Sequence, residues 1–150
     1  ADAIVASFGV GENGRVVGVE SSPLIAAVTG HGLQHFLPGN YPLYAAMRRI
    51  EVVNMDYLDY LRQQPDNAYD VVYFDPMFRK PLTASNGISP LRSVANHAAL
   101  SVEAVEEAKR VAKSRVVMKE ANGSEEFDRL GFKKIMGGKY SKVHYGVMDL

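Results

Sequence analysis

The chain has 150 residues, no cysteine and a formal net charge of zero at pH 7. Its length fits one domain, and a content of 47% hydrophobic and 23% charged residues is typical of a globular protein with a sizeable core. The lack of cysteine excludes disulfides and thiolate metal sites. We expect no membrane span, because no apolar run approaches the roughly 20 residues that cross a bilayer. We expect no signal peptide, because no basic start is followed by an apolar stretch and a small-residue cleavage site. The lack of cysteine fits the cytoplasmic location that we expect.

Charge is distributed unevenly along the sequence. Residues 1–108 carry 7 Lys and Arg against 12 Asp and Glu, whereas residues 109–150 carry 10 against 5, so the two parts differ from −5 to +5. A basic C-terminal third is compatible with phosphate binding and equally with solvated faces of helices and strands.

Strand and helix patterns alternate in the first half of the chain. In order, hydrophobic periodicity predicts a short helix at 3–8, a strand at 15–20, helices at 24–36 and 41–49, a strand at 50–56, a helix at 57–64 and a strand at 68–75. Ser22 and Pro23 form an N-cap and first-turn pair ahead of the second helix.

The second half continues the alternation after a polar loop at 79–99. Ser101 caps a predicted helix to residue 113, which would turn Val102, Val105, Ala108, Val111 and Ala112 inward. A strand at 114–120 and a short helix at 124–130 follow. The segments "FKKIMGG" and "KVHYGVMDL" read as an antiparallel pair of strands. The whole predicts an α/β sandwich with a mostly parallel sheet that ends in an antiparallel hairpin.

Three predicted strands finish on acids, namely Glu20, Asp56 and Asp75. Ligands of open α/β sheets bind beyond the carboxyl ends of the strands. Glu20 would accept hydrogen bonds from two ribose hydroxyls, Asp56 would meet an adenine amino group, and Asp75 would lie nearest the reacting centre. A single acid in such a place more commonly caps a helix or faces solvent.

The stretch "YDVVYFDPMF" ends its strand with a carboxylate, a proline and an aromatic ring. The exocyclic amine of a nucleic-acid base is a poor nucleophile, because its lone pair is delocalised into the ring. The Asp75 carboxylate and the carbonyl of Pro76 can accept hydrogen bonds from the amine hydrogens, which favours a pyramidal nitrogen with an available lone pair. Phe78 can stack on the base that carries the amine. The alternative is a simple proline turn with Phe78 in the core.

These residues resemble those of a known group of enzymes. "FDPMF" is similar to the (D/N)PP(Y/F) motif of amino-directed class I methyltransferases, and its DPMF form resembles the bacterial small-subunit ribosomal RNA guanine-N2 methyltransferases. "VGVESSPLIAAVTGHGL" and "GGKYSKVHYGV" resemble further segments of that family. The resemblance implies a Rossmann-like fold, S-adenosylmethionine as cofactor, and ribosomal RNA or the small ribosomal subunit as partner. It implies cofactor contacts at Ala1, Asp2, Glu20, Ser21, Asp56, Tyr57 and Asp75, catalytic roles for Asp75, Pro76 and Phe78, and RNA contacts at Arg79 and Lys80.

Two features depart from the family pattern. Met77 replaces the second proline, and the Gly-rich loop with its strand would lie before Ala1. We therefore expect 1–150 to be a single methyltransferase domain that is incomplete at its N-terminus, with the missing first strand central, between the strands of Glu20 and Asp75. We expect this chain alone to bind the cofactor poorly.

The sequence favours methyl transfer to guanine N2 in ribosomal RNA, with no metal. Methylation of DNA adenine, protein or a small molecule, and a catalytically silent RNA-binding module of the same fold, stay open as alternatives. A dehydrogenase would also want an acid where Glu20 stands, but the DPMF motif and the final hairpin argue against it. The oligomeric state is left open.

Overall fold

A computed structural model describes residues 1–37, 39–76 and 98–150. These ranges contain six helices and six strands and form two compact units, Ala1–Tyr57 and Leu58–Leu150. The helices are α1 Asp2–Val10, α2 Pro23–His35, α3 Tyr41–Arg48, α4 Tyr57–Gln63, α5 Val102–Val111 and α6 Glu126–Arg129. The strands are β1 Val16–Glu20, β2 Ile50–Asn54, β3 Tyr69–Phe74, β4 Ala112–Ala121, β5 Lys134–Met136 and β6 Val143–Asp149.

The first unit is a two-stranded parallel sheet packed against helices. Strands β1 and β2 pair from Val16 opposite Ile50 to Glu20 opposite Asn54. Helices α1 and α2 pack on the sheet and α3 packs against both of these helices, and Leu33, Met47 and Ile50 form the buried centre of this unit. The parallel register brings the carboxyl ends of β1 and β2 to one edge of this sheet.

The second unit is a four-stranded sheet of order β3-β4-β6-β5. Strands β3 and β4 are parallel, and β6 runs antiparallel to both β4 and β5. The predicted terminal antiparallel pair is therefore confirmed, and β6 lies between β4 and β5. Among the described residues, β1 pairs only with β2 and β3 only with β4. The expected missing strand between β1 and β3 stays a prediction.

Helices of the second unit bury one face of its sheet. Helix α5 packs on β3 and β4, where Val116 and Met118 are fully buried. Val71 and Tyr73 lie on the opposite face and are 44% and 39% exposed. Among the described residues, α5 therefore covers one face of β3 and leaves the face of Val71 and Tyr73 partly exposed.

Helix α5 begins where its N-cap predicts. The Ser101 hydroxyl accepts the backbone N–H of Ala104 at 3.1 Å. Val102 is 53% exposed, so its predicted inward orientation is wrong. At 3.6 residues per turn it lies about 130° around the helix from the centre of the buried stripe, which is formed by Ala104, Val105, Ala108 and Val111.

Candidate active site

Glu20 ends β1 and is fixed by the turn into α2. Its Oε1 accepts the backbone N–H of Ser22 at 2.8 Å, and the Ser22 hydroxyl accepts the N–H of Ile25 at 3.4 Å as the cap of α2. A proline at the first helical position requires no backbone donor there, which suits this short connection. The half-buried carboxylate is thus held in one orientation by the chain that follows it.

Asn54 fastens the two strand ends together and was not singled out from the sequence. Its Nδ2 donates to the carbonyl of Glu20 at 2.8 Å and to the carbonyl of Ser21 at 3.1 Å. The backbone N–H of Met55 also donates to the Glu20 carbonyl, at 3.1 Å. The available signal was an amide residue that closes the apolar run of the neighbouring predicted strand.

Asp56 and Tyr57 lie after the end of β2 and are not part of that strand. Strand β2 ends at Asn54, two residues earlier than predicted, so Asp56 lies in the connection to α4, and Tyr57 is the first residue of that helix. Both are half-buried. The prediction that Asp56 itself ends the strand is wrong, because Asn54 takes the register position opposite Glu20.

Ala1 and Asp2 lie at the N-terminus of α1. The carbonyl of Ala1 accepts the N–H groups of Ile4 and Val5 at 3.0 and 3.3 Å, so Ala1 takes the N-cap position and Asp2 the first turn. Their predicted contact with the cofactor stays a prediction.

Asp75 directly follows β3 in the second unit and forms an ion pair with Lys119 of the neighbouring β4. The Lys119 Nζ lies 3.2 Å from Oδ1 and 3.3 Å from Oδ2 of Asp75, so it approaches both carboxylate oxygens. The side chains are 20% and 44% exposed for Lys119 and Asp75. Sequence reasoning missed Lys119, because a lysine inside a strand commonly faces solvent and the parallel register that joins it to Asp75 is not visible locally.

Of the remaining predicted site residues, one lies within the described part of the chain and three lie outside it. Pro76 follows Asp75 and is half-buried. Phe78, Arg79 and Lys80 lie outside the described residues, so their roles stay predictions. Because Glu20 belongs to the first unit and Asp75 to the second, the predicted common rim of the three carboxylates also stays a prediction.

Two searches of the described residues bear on metals and membranes. No three or more His, Asp or Glu side chains gather in a metal-binding cluster within that part of the chain. None of its helices has the length and apolar character needed to span a bilayer.

The fold and the sequence together define a family. Residues 1–143 match the family model described as "Putative SAM-dependent methyltransferase", so the chain belongs to the S-adenosylmethionine-dependent methyltransferase family. The predicted α/β methyltransferase fold is confirmed. The crystal structure of the SAM-dependent methyltransferase NGO1261 from Neisseria gonorrhoeae has a TM-score of 0.67 and 21% identity, over 99% of this chain and 56% of that chain.

Curated relatives share sequence over different lengths. The chain is 45% identical to the uncharacterized protein YpiP of Bacillus subtilis over 148 residues, which is 99% of this chain and 57% of that protein. It is 39% identical to ribosomal RNA small subunit methyltransferase J of Laribacter hongkongensis over 77 residues, which is 50% of this chain and 25% of that protein. The chain therefore spans little more than half of the first relative and a quarter of the second.

The family implies S-adenosylmethionine as cofactor, and Glu20 fits a ribose. Its Oε1 already accepts the Ser22 N–H, which fixes the carboxylate, while Oε2 has no hydrogen-bond partner among the described residues. A carboxylate held on one oxygen and open on the other can accept a hydroxyl without reorienting. Glu20 therefore has an oxygen that could accept a hydrogen bond from a ribose hydroxyl of the family's cofactor.

Proposed function

We propose that the protein transfers a methyl group from S-adenosylmethionine to the exocyclic N2 amine of a guanine in small-subunit ribosomal RNA. The observation that carries this proposal is Asp75, which directly follows β3 in an FDPMF sequence and has a carboxylate held by Lys119. Family membership indicates the reaction class, and the carboxylate of Asp75 is what supports an amine as the methylated group of the substrate.

Asp75 would orient the target amine. An aromatic amine is a poor nucleophile because its lone pair is delocalised into the ring. A fixed carboxylate that accepts one amine hydrogen, together with the Pro76 carbonyl accepting the other, favours the pyramidal nitrogen that can attack. Most of the resulting rate enhancement would come from positioning and from preorganised polar groups.

When bound, S-adenosylmethionine supplies an electrophilic methyl group on a sulfonium. The amine nitrogen would form the new N–C bond as the S–C bond breaks, and the sulfur would keep the bonding electron pair. Asp75 would then accept the proton that the methylated nitrogen loses. Glu20 would keep the ribose in place, and no metal is required for this charge balance.

The choice of RNA is supported by the partial match to ribosomal RNA small subunit methyltransferase J. This match covers half of the chain, and it agrees with the DPMF sequence, whose resemblance is to guanine-N2 methyltransferases of ribosomal RNA. Such a substrate would place the reaction in the cytoplasm. The target base would be reached in a loop or flipped out of its stack.

The test is methyl transfer by the natural full-length protein. Ribosomal RNA and small subunits from a strain lacking the gene would be incubated with isotope-labelled S-adenosylmethionine, and the digested nucleosides identified by mass spectrometry. We expect label in N2-methylguanosine. Label in an adenine or in protein, or no transfer to either preparation, would contradict the proposed substrate.

A matched pair of variants tests the proposed role of Asp75. Asp75→Ala should abolish most transfer while cofactor binding is largely kept. Asp70→Ala removes an acid from the same strand whose carboxylate lies 3.9 Å from Lys113 and is 87% exposed, so it should leave transfer unchanged. Equal activity of the two variants would show that the carboxylate of Asp75 has no part in the reaction.

A further inference from the structure

The C-terminal hairpin concentrates positive charge. Residues 129–148 contain five Lys and Arg, at 129, 133, 134, 139 and 142, and no Asp or Glu. Two of these cations are neutralised locally, because Arg129 pairs with Glu126 at 2.5 Å and Lys134 with Asp149 at 3.1 Å. The basic hairpin, defined here as residues 133–145, therefore carries positive charge that these local ion pairs do not neutralise.

Three lysines of the basic hairpin are available to a partner. Lys133, Lys139 and Lys142 are exposed, and no carboxylate of the described residues lies within ion-pair distance of them. By contrast, Lys109, Lys113 and Arg115 of the same unit each have a carboxylate partner, listed in order as Glu106, Asp70 and Asp149. Among the described residues of this unit, the lysines without a carboxylate partner therefore all belong to the basic hairpin.

An aromatic ring stands among these lysines. Tyr140 is 90% exposed, and the Lys139 Nζ lies 5.6 Å from the centre of its ring. An exposed tyrosine ring offers a large contact area and a polar hydroxyl to a partner. Lysines beside an open aromatic face match single-stranded nucleic acid, which offers phosphates and unstacked bases together.

The fold holds the basic hairpin in a defined shape. The backbone N–H of Asn122 donates to the Lys142 carbonyl at 2.9 Å, and the N–H of Ser141 donates to the Gly138 carbonyl at 2.9 Å. Strand β6 pairs with β4 over seven residues behind this turn. Lys139, Lys142 and the ring of Tyr140 therefore lie on an ordered turn that follows the edge strand β5, and Lys133 directly precedes that three-residue strand.

We propose that the basic hairpin is an RNA-docking surface, in which Tyr140 stacks on an unpaired base and Lys133, Lys139 and Lys142 contact the flanking phosphates. This inference rests on the proposed RNA substrate and adds a contact surface separate from Asp75. Single-stranded or loop RNA is favoured over a duplex, because the tyrosine needs the face of an unstacked base.

The test is fluorescence anisotropy of a labelled, single-stranded RNA of about 20 nucleotides with the natural full-length protein. Replacing the three lysines by glutamine should weaken binding and reduce the slope of log K against log salt by about 2, since each phosphate contact contributes about 0.7. Tyr140→Ala should weaken binding about tenfold with the salt slope unchanged. Glutamine replacements of Lys109, Lys113 and Arg115 form the control and should bind like the wild type.

Several results would overturn the inference. Wild-type binding by both hairpin variants, no RNA binding by the wild type, or displacement of RNA by polyglutamate at equal charge would each do so. The proposed function is tested separately. If the protein transfers methyl groups and the hairpin variants bind RNA like the wild type, only the docking surface is refuted. If RNA binding depends on the hairpin and no methyl transfer occurs, only the proposed function is refuted.

Discussion

The ion pair between Lys119 and Asp75 makes a quantitative prediction for the proposed reaction. The Lys119 Nζ approaches both oxygens of the carboxylate, at 3.2 and 3.3 Å, from a side chain that is only 20% exposed. If Asp75 must present a fixed oxygen to the target amine, Lys119 is a positioning residue that limits rotation of the carboxylate. Lys119→Met keeps the length of the side chain and removes its charge.

The expected size of the effect follows from the geometry. A hydrogen bond to a charged group contributes about 1.5–3 kcal/mol. Because Asp75 is 44% exposed, water screens the pair and the lower end applies. A loss of about 1.4 kcal/mol corresponds to about a tenfold lower kcat. Lys119→Arg, which keeps the charge, should restore most of the rate.

A double-mutant cycle separates positioning from a merely structural role. Steady-state methyl transfer would be measured for Lys119→Met in the wild-type protein and in an Asp75→Asn background, where one acceptor oxygen remains. We expect about a tenfold loss of kcat in the first and less than about a twofold loss in the second. Equal losses in both backgrounds, or an effect confined to KM, would refute the reasoning.

Three further predictions concern the stability of the fold. Gly146→Ala should lower the free energy of unfolding by about 1–3 kcal/mol, because the added Cβ would lie 2.8 Å from ring atoms of Phe127 and Phe132. Gly18→Ala is the control, because its Cβ would meet only a carbonyl oxygen at 3.9 Å. Equal denaturation midpoints of the two variants would contradict the predicted steric clash at Gly146. Ser101→Ala should cost about 1 kcal/mol in chemical denaturation through loss of the α5 cap, and an unchanged midpoint would refute the cap. The hydrogen bond from Lys134 lowers the pKa of the Asp149 carboxyl below its ordinary value of 3.8, so the carboxylate stabilises the fold above about pH 4 and this stabilisation is lost as pH falls through the folded-state pKa. The unfolding curves of the wild type and of Asp149→Asn should therefore differ at neutral pH and converge in acid. A difference that stays constant with pH would contradict this role of Asp149.

Much of the fold could be predicted because its signals are local. The Ser22–Pro23 cap, the Ser101 cap and the alternation of strand and helix patterns each depend on residues within one or two turns of chain. The final antiparallel pair also follows from two short strand patterns and a tight connection. These elements were found from the sequence because hydrophobic period and capping chemistry do not depend on distant partners.

The rest depended on register between distant segments. Asn54 meets Glu20 across 34 positions of sequence, and Lys119 meets Asp75 across 44. No local pattern shows that these residues face one another, since a one-residue change of register would separate them. The exposed face that carries Val71 and Tyr73 was likewise not predictable, because an apolar run does not show whether one or both sides of a strand are covered.

Cofactor binding tests the account most directly. Isothermal titration calorimetry of the natural full-length protein with S-adenosylmethionine should show saturable binding with one site per chain, and Glu20→Gln should weaken it by about tenfold through loss of the charged acceptor. Residues 1–150 alone should bind poorly. No binding by the full-length protein, or unchanged affinity after Glu20→Gln, would contradict the assignment of this edge of the sheet to the cofactor.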